Sequence, residues 1–399
     1  MPLSSELKGR TIAVKDNIAL AGIPCTNGTL ALSWTPQIDA TVITRLLDAS
    51  GLILGKAACE NACLESISDS SVTGMVHNPY ADGYSCGGSS SGSGRLVASG
   101  QVDMSLGCDQ GGSIRIPASS CGLVGLKPTW GLLPYTGIIS LEVTIDHVGP
   151  MTKTVRDSAL LMDVLAGCDG IDDRQPYSLT PGSIKFVQGV DEFLAHSSPL
   201  AGIKIGALKE GFECEVQDPH VTRLVMSAVE GLKALGAEVE ELSIPSHTQA
   251  AKLWMTNLQI AGMRQGLLSD ATGRKQLCLT DRVEATGRQL SQKAFDSFSA
   301  ASQNLYLQAL YLDAQYGPVL HAKSQNLLRK LNVRFPFRLS FPHPHFAHDF
   351  CQVIECQRKL IMASRTNTTT LSRHLTSSSC PRSPRSRAPS PRKQLLWAR

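Results

Sequence analysis

The sequence predicts an α/β fold. Three observations carry that expectation. IKIGAL (203–208) reads as a strand, a helix-spaced segment follows it from Pro219, and a second strand runs from Val239 to Ile244, so the region forms a strand–helix–strand unit. Near the start, two short apolar runs, TIAV (11–14) and LIL (52–54), bracket a segment of helical period. Glycine is frequent at 34 residues and aromatics are low at 5%, which suits many tight turns and close backbone approaches.

Each element has a local reason. Between Asp39 and Ser50, Val42, Ile43, Leu46 and Leu47 recur at helical spacing. The glycine–serine stretch from Gly83 to Gly94 looks like a linker by composition, but it sits inside a continuous core pattern, ahead of Leu96-Val97 and VDMSLG. Thr154 is placed to cap a helix running to Leu165, with Val155, Ala159, Leu160 and Val164 on one face. Asp218-Pro219 opens the helix of the strand–helix–strand unit, because proline fits the first turn. Its apolar stripe reads Val221, Leu224, Val225, Val229 and Leu232, and Gly236 ends it. Residues 251–333 read as mainly helical. Beyond them FPFRLSFPHPHF breaks both periods, and SSSCPRSPRSRAPSPRK follows. Residues 1–333 are therefore expected to form the folded domain, and 334–399 a Pro/Ser/Arg-rich tail that is disordered.

Composition excludes several classes. The 399 residues are 42% hydrophobic and 18% charged, as in a globular chain. No run of 18 apolar residues is present, so no membrane-spanning helix is expected. The opening MPLSSELKGR lacks the apolar stretch of a signal peptide, which favours a cytoplasmic location. The net charge of +4 conceals an asymmetry: residues 321–399 carry +13 and the first 320 carry −9. An acidic body with a basic tail is not the pattern of a specific nucleic-acid binder. Twelve cysteines are scattered without a Cys-x-x-Cys pair, and Cys59/Cys63 and Cys351/Cys356 lack partners at zinc spacing, so free thiols and no metal are expected. His343, His345 and His348 are read as solvated loop residues.

The chemistry concentrates in IAVKDN (12–17), GGSSSGSG (87–94) and GCDQGGSIRIPASSCGLVGLKPT (107–129). Ser113 follows paired glycines, where backbone can approach a ligand closely. The successive N–H groups of Gln110, Gly111, Gly112 and Ser113 could converge on one anion, as an oxyanion hole requires. That makes Ser113 a candidate nucleophile. A serine hydroxyl needs a base. Lys15 follows a buried apolar run, and burial disfavours an ammonium, so Lys15 is a candidate neutral base. A blander reading makes Ser113 a helix cap and Lys15 an ion-pair partner of Asp16 or Asp109. Gly88-Ser89-Ser90-Ser91-Gly92 also fits the G-x-S-x-G elbow, which would select Ser90, but the preceding NPYADGYSCGG is a loop and not a strand. No Gly-Lys-Ser/Thr follows either glycine run, which excludes a phosphate-binding P-loop.

These residues resemble the amidase signature family, hydrolases of carboxylic amides. The likeness covers roughly 9–331 and is densest at Val14-Lys15-Asp16-Asn17, Gly87-Gly88-Ser89-Ser90 and residues 107–129. It implies an amidase-signature α/β fold with a mixed central sheet flanked by helices. It also implies a catalytic set of Lys15, Ser89 in a cis peptide and nucleophilic Ser113, with oxyanion or substrate contacts from Gln110, Gly111, Gly112 and Ser89. Asp109, Arg115, Asp146 and His147 are expected to be supports, and Ser90 and Ser91 to supply hydroxyl bonds nearby. GCDQGGSIRIPAS with LPYTGIISLEVTIDHVGPMT is similar to the branch acting on small aliphatic and aryl amides. No metal or cofactor is implied. The expected partner is a small-molecule amide, with a homodimer left open. The rival implication is an inactive or partner-dependent member, such as the A-type subunit of a tRNA-dependent amidotransferase. The likeness begins close to the start of the chain and fades after about Leu331, so the fold is expected to be truncated at both ends, with a sheet edge and apolar surface uncovered.

Overall fold

In the computed structural model, residues 4–213, 218–266, 279–286 and 290–333 are described. The expectations for the tail at 334–399 and its three histidines lie outside those residues.

The first apolar run forms β1 (Thr11–Lys15) and the helix-spaced segment after it forms α1 (Thr41–Asp48). The second run is longer than its apolar letters suggested and forms β2 (Leu52–Ala57). The glycine–serine stretch becomes a tight turn leading directly into α2 (Ser91–Ala98), so it is core structure and not a linker. Next come β3 (Met104–Asp109), α3 (Arg115–Ser120), β4 (Val124–Gly125) and β5 (His147–Thr152). Thr154 caps α4 (Val155–Leu165) as expected, its hydroxyl accepting from the Asp157 N–H.

Five strands make one mixed sheet in the order β2-β1-β3-β5-β4. β1 runs parallel to β2 and β3, whereas β5 is antiparallel to both β3 and β4. The two faces of β1 are covered differently, as strand alternation demands. Ile12 and Val14 join a cluster with Val42, Ile43 and Leu46 of α1 and Leu161 and Leu165 of α4. Ala13, between them, packs with Leu96 and Val97 of α2. β2 ends the sheet among the described residues, with Leu52 and Leu54 each 54% exposed.

α5 (Phe186–Ala195) lies on α4 and leads to the strand–helix–strand unit. There β6 (Lys204–Leu208), α6 (Pro219–Ala234) and β7 (Glu238–Leu242) form as read, with Asp218 capping α6. The two strands pair in parallel as a separate two-stranded sheet and do not extend the central one. A helical layer follows: α7 (Ala250–Asn257), α8 (Met263–Gly266), α9 (Thr280–Thr286), α10 (Gln292–Asp296), α11 (Ala300–Tyr316) and α12 (Val319–Val333). Leu258, Met263, Phe298 and Ala309 from this layer pack on Leu32, Ala62 and Leu141 of the sheet-bearing half. Among the described residues no helix is long and apolar enough to cross a membrane.

Two apolar stripes need correction. In α4 the buried face is Ser158, Ala159, Leu161, Met162 and Leu165, while Val155 is 59% exposed. In α6 only Val221 and Val229 are buried, and Leu224 is 72% exposed. The α6 unit has one small sheet to cover, so its buried face is narrower than its apolar stripe.

Core and stripe should separate in unfolding experiments. Leu46→Ala removes a fully buried side chain of the main cluster and should cost about 2–5 kcal/mol in urea denaturation. Leu224→Ala should fall within about 0.5 kcal/mol of the parent.

Candidate active site

Lys15 closes β1, and its side chain is the largest that is fully buried. An ammonium so placed needs a partner. Lys15 Nζ donates to Ser89 Oγ at 2.8 Å and reaches the Cys108 carbonyl at 3.5 Å. The ion-pair alternative does not hold, because Asp16 pairs instead with Lys56, at 3.5 Å, and Asp109 with Arg115, at 2.9 Å.

Ser89 sits in the turn before α2. The Gly88–Ser89 peptide is cis, as the resemblance implied. Gly87 takes a φ of 70°, open to glycine at little cost. Glu60 braces this turn. Its N–H donates to the Ser89 carbonyl at 3.1 Å, and its buried carboxylate accepts from Ser91 Oγ at 2.7 Å and from the N–H and hydroxyl of Ser70. The N–H of Ser90 donates to the Ser113 carbonyl at 3.3 Å, which ties the two serine-bearing segments together. Ser90 Oγ also bridges to the backbone of Cys108 on β3. Ser90 and Ser91 are thus hydrogen-bonding supports, and Ser90 is not on an elbow.

Residues 110–113 turn out of β3 into α3. Asp109 holds this turn from inside. It accepts from the Gly112 N–H at 2.7 Å, the Ile114 N–H at 3.2 Å, and Arg115 Nε and Nη2 at 2.9 Å each. Burial works against the Asp109 charge, but Arg115 outweighs it and holds the carboxyl well below the usual carboxylate range. The Gly112 N–H is therefore spent on Asp109, which corrects the expectation that four successive N–H groups converge. Among the described residues, the N–H groups of Gln110, Gly111 and Ser113 donate to no protein acceptor. α3 begins at Arg115 with no side-chain cap, so Ser113 is not a helix cap.

The Gln110 side chain is also committed. Its Nε2 donates to Tyr135 Oη at 2.8 Å and to Asp146 Oδ1 at 2.9 Å. Burial pushes the Asp146 carboxyl up to about 6, against hydrogen bonds from Ser140 and Gln110 and the charge of Arg174. His147 stands opposite Asp109 in the β3–β5 register. Burial, with Lys127 beside it, lowers its imidazole to about 3, so it is neutral near pH 7. Its Nδ1 then donates to the Ile145 carbonyl at 2.8 Å, and Nε2 accepts from Lys127 at 3.3 Å. Asp146 and His147 act as supports.

Sequence reasoning missed four contributors. Trp254, on α7, donates from Nε1 to the Gln110 carbonyl at 2.7 Å and lies against Gly111 so closely that a Cβ there would meet its ring at 2.4 Å. Asn17, Asn27 and Cys63 line a small pocket with Gln110, Ser140 and Leu141. Asn17 was visible in the IAVKDN motif. The other three carry no local signal, because folding alone brings them to the site.

The surroundings of Lys15 act on its amine in opposite directions. Burial favours the free amine, but charge on Cys63, Cys108 and Cys59 outweighs it and holds the amine above its ordinary value. Those thiols are unequal. Burial pushes Cys108 up to about 12, while hydrogen bonding from Cys59 and the charge of Lys15 bring Cys63 down to about 7. Among the described residues no cluster of His, Cys, Asp or Glu could hold a metal ion.

A mixed sheet that buries a lysine against a serine, beside a glycine-rich turn bearing a second serine, defines the class of site. The chain belongs to the amidase family, whose profile, Amidase, matches residues 3–331. An enantioselective amidase of Rhodococcus rhodochrous is 47% identical over 251 residues, which are 62% of this chain and 47% of that protein. The A-type subunit of the glutamyl-tRNA(Gln) amidotransferase of Gloeobacter violaceus is 35% identical over 320 residues, 77% of this chain and 63% of that one. The native peptide amidase of Stenotrophomonas maltophilia superposes with a TM-score of 0.66 at 28% identity, covering 82% of this chain and 66% of that one. The chain spans about half the length of the first relative and under two thirds of the second.

Asp109→Ala leaves the Arg115 charge without its buried partner and should cost about 3–5 kcal/mol of unfolding free energy at pH 7. The native carboxyl titrates below its unfolded value of 3.8. Its contribution is therefore complete above that value and fades as the pH drops beneath it. Urea titrations of parent and variant should begin to draw together only as the pH falls below 3.8.

Proposed function

We propose that the chain hydrolyses carboxylic amides to carboxylate and ammonia or amine through an acyl-enzyme. The observation that carries this reading is the 2.8 Å bond from a fully buried Lys15 amine to the Ser89 hydroxyl. The reaction starts from Lys15 as a free amine. Lys15 takes the Ser89 proton as Ser89 takes that of Ser113. The Ser113 oxygen then attacks the amide carbonyl. The N–H groups of Gln110, Gly111 and Ser113 are the donors left for the oxyanion, since Gly112 is spent on Asp109. The ammonium of Lys15 returns a proton through Ser89 to the leaving nitrogen, and water repeats the attack on the ester.

The 47% identity to an enantioselective amidase supports free amides as substrates. The longer match to the A-type component of an amidotransferase supports a second reading, in which the chain acts only with a partner. Co-purification separates the two, since the second requires a stable complex and no turnover of free amides by the isolated chain.

Ser113→Ala should lower amide turnover by about 10³-fold or more, with the fold retained by circular dichroism. Lys15→Ala should be comparably damaging at neutral pH. A fluorophosphonate serine probe should label Ser113 in the parent and fail in Ser113→Ala. Near-normal hydrolysis by Ser113→Ala would reject the assignment.

A further inference from the structure

The turn at 110–113 is held from outside at three points. Asp109 holds the Gly112 N–H, and Tyr135 and Asp146 hold the Gln110 side chain. The third point is the peptide between Gln110 and Gly111. Its carbonyl accepts the Trp254 indole N–H at 2.7 Å, and its own N–H donates to no protein acceptor among the described residues. Glycine at 111 and 112 leaves this peptide few restraints of its own. The peptide is trans, because the cis bond lies at Gly88–Ser89. A trans peptide is planar, with C=O and N–H on opposite edges. Fixing the carbonyl therefore fixes where the Gly111 N–H points. Gly111 is exposed, so that N–H faces the side open to substrate. A peptide that accepts a hydrogen bond at its oxygen is also polarised, which strengthens its N–H as a donor.

The indole is itself held in place. Its ring packs on the cluster of Leu32, Ala62 and Leu141. Asn257, three residues on along α7, donates to Glu142 Oε2 at 3.2 Å and accepts from Gln325 Nε2 at 2.8 Å. We propose that Trp254 is a positioning residue for the oxyanion: its indole N–H holds the Gln110–Gly111 peptide so that the Gly111 N–H meets the oxygen that turns negative when Ser113 attacks. This role rests on the amide-hydrolysis reading, since only an attacked carbonyl calls for such a donor. The donor serves the tetrahedral oxygen more than the ground-state carbonyl, so its loss falls on kcat and spares KM. A ring that merely filled space would behave otherwise, because a second aromatic at 254 would replace it.

Trp254→Phe keeps a ring beside Gly111 and removes the N–H. Its kcat on propionamide should fall at least about tenfold, toward the 10²–10³-fold loss typical of deleting one oxyanion donor, with KM within about twofold of the parent. Fluorophosphonate labelling of Ser113 should slow by a similar factor, because the phosphoryl oxygen takes the oxyanion position. The Gly111 amide gives a readout independent of turnover. Glutamine precedes glycine at three places, so carbonyl-labelled glutamine with nitrogen-labelled glycine selects the amides of Gly111, Gly189 and Gly266 in NMR spectra. The Gly111 resonance should shift in Trp254→Phe while that of Gly189 stays. If Trp254→Phe does not fold, benzothienylalanine at position 254, which replaces only the N–H by sulfur, takes its place. Parent-like kcat in the variant would overturn the proposal, as would a raised KM with kcat unchanged or an unmoved Gly111 resonance. A parent that neither turns over amides nor takes the fluorophosphonate counts against the hydrolysis reading alone. The Gly111 resonance then still decides whether the indole sets that peptide.

Discussion

A primary amine with no access to water organises this molecule. Lys15 can be buried only because Ser89 accepts its hydrogen bond and the Cys108 carbonyl and three thiols lie around it. Each of those groups is delivered by a different element. The amine comes from the end of β1, the carbonyl from β3, and Ser89 from the turn before α2. The Cys63 turn comes after β2. Glu60 then fastens the Ser89 turn, and the Ser90–Ser113 backbone bond fastens the third segment to the first two. The sheet order, with β1 between β2 and β3, is what lets these segments meet at one point.

A second layer of polar contacts holds the glycine-rich turn, and it shows how such a turn is kept in one shape without side chains of its own. Asp109 gathers two backbone N–H groups and the Arg115 guanidinium. Asp146 holds the Gln110 amide, and Arg174 donates to the Asp146 carbonyl at 2.9 Å while forming a buried pair with Asp172. These carboxylates are all short-chain and all buried or nearly so, and their bonds go to backbone N–H groups, to planar donors and to the Ser140 hydroxyl. Such networks stabilise one arrangement only when every member is satisfied.

Much of this was legible in the residues. Strands at 11–14 and 203–208, the Thr154 and Asp218 caps and the helical character of 251–333 follow from period and capping chemistry, which act over a few residues. Lys15 and Ser113 could be picked out from burial and from backbone chemistry. Ser89 entered through the family likeness, since nothing about one serine among four marks it for a lysine 74 positions away. Gly112 was assigned to anion binding because sequence shows an N–H but not the carboxylate that claims it. Trp254 and Cys63 were invisible for a related reason: each matters through a contact made in three dimensions. The stripe of α6 misled because apolar spacing reports what a helix could bury, while the neighbouring surface decides what it does bury.

One contact ties the two halves of the chain. The indole of Trp254 bonds to the backbone of Gln110 across 144 residues and presses on Gly111, while Asn257 on the same helix bonds to Glu142 and Gln325. The glycine turn is thus clamped by a helical layer outside the sheet, which packs on the sheet-bearing half through Leu32, Ala62 and Leu141. Local opening of that layer would slacken the turn while leaving the strands paired, so competence could be lost at temperatures where bulk spectroscopic signals still report a folded protein.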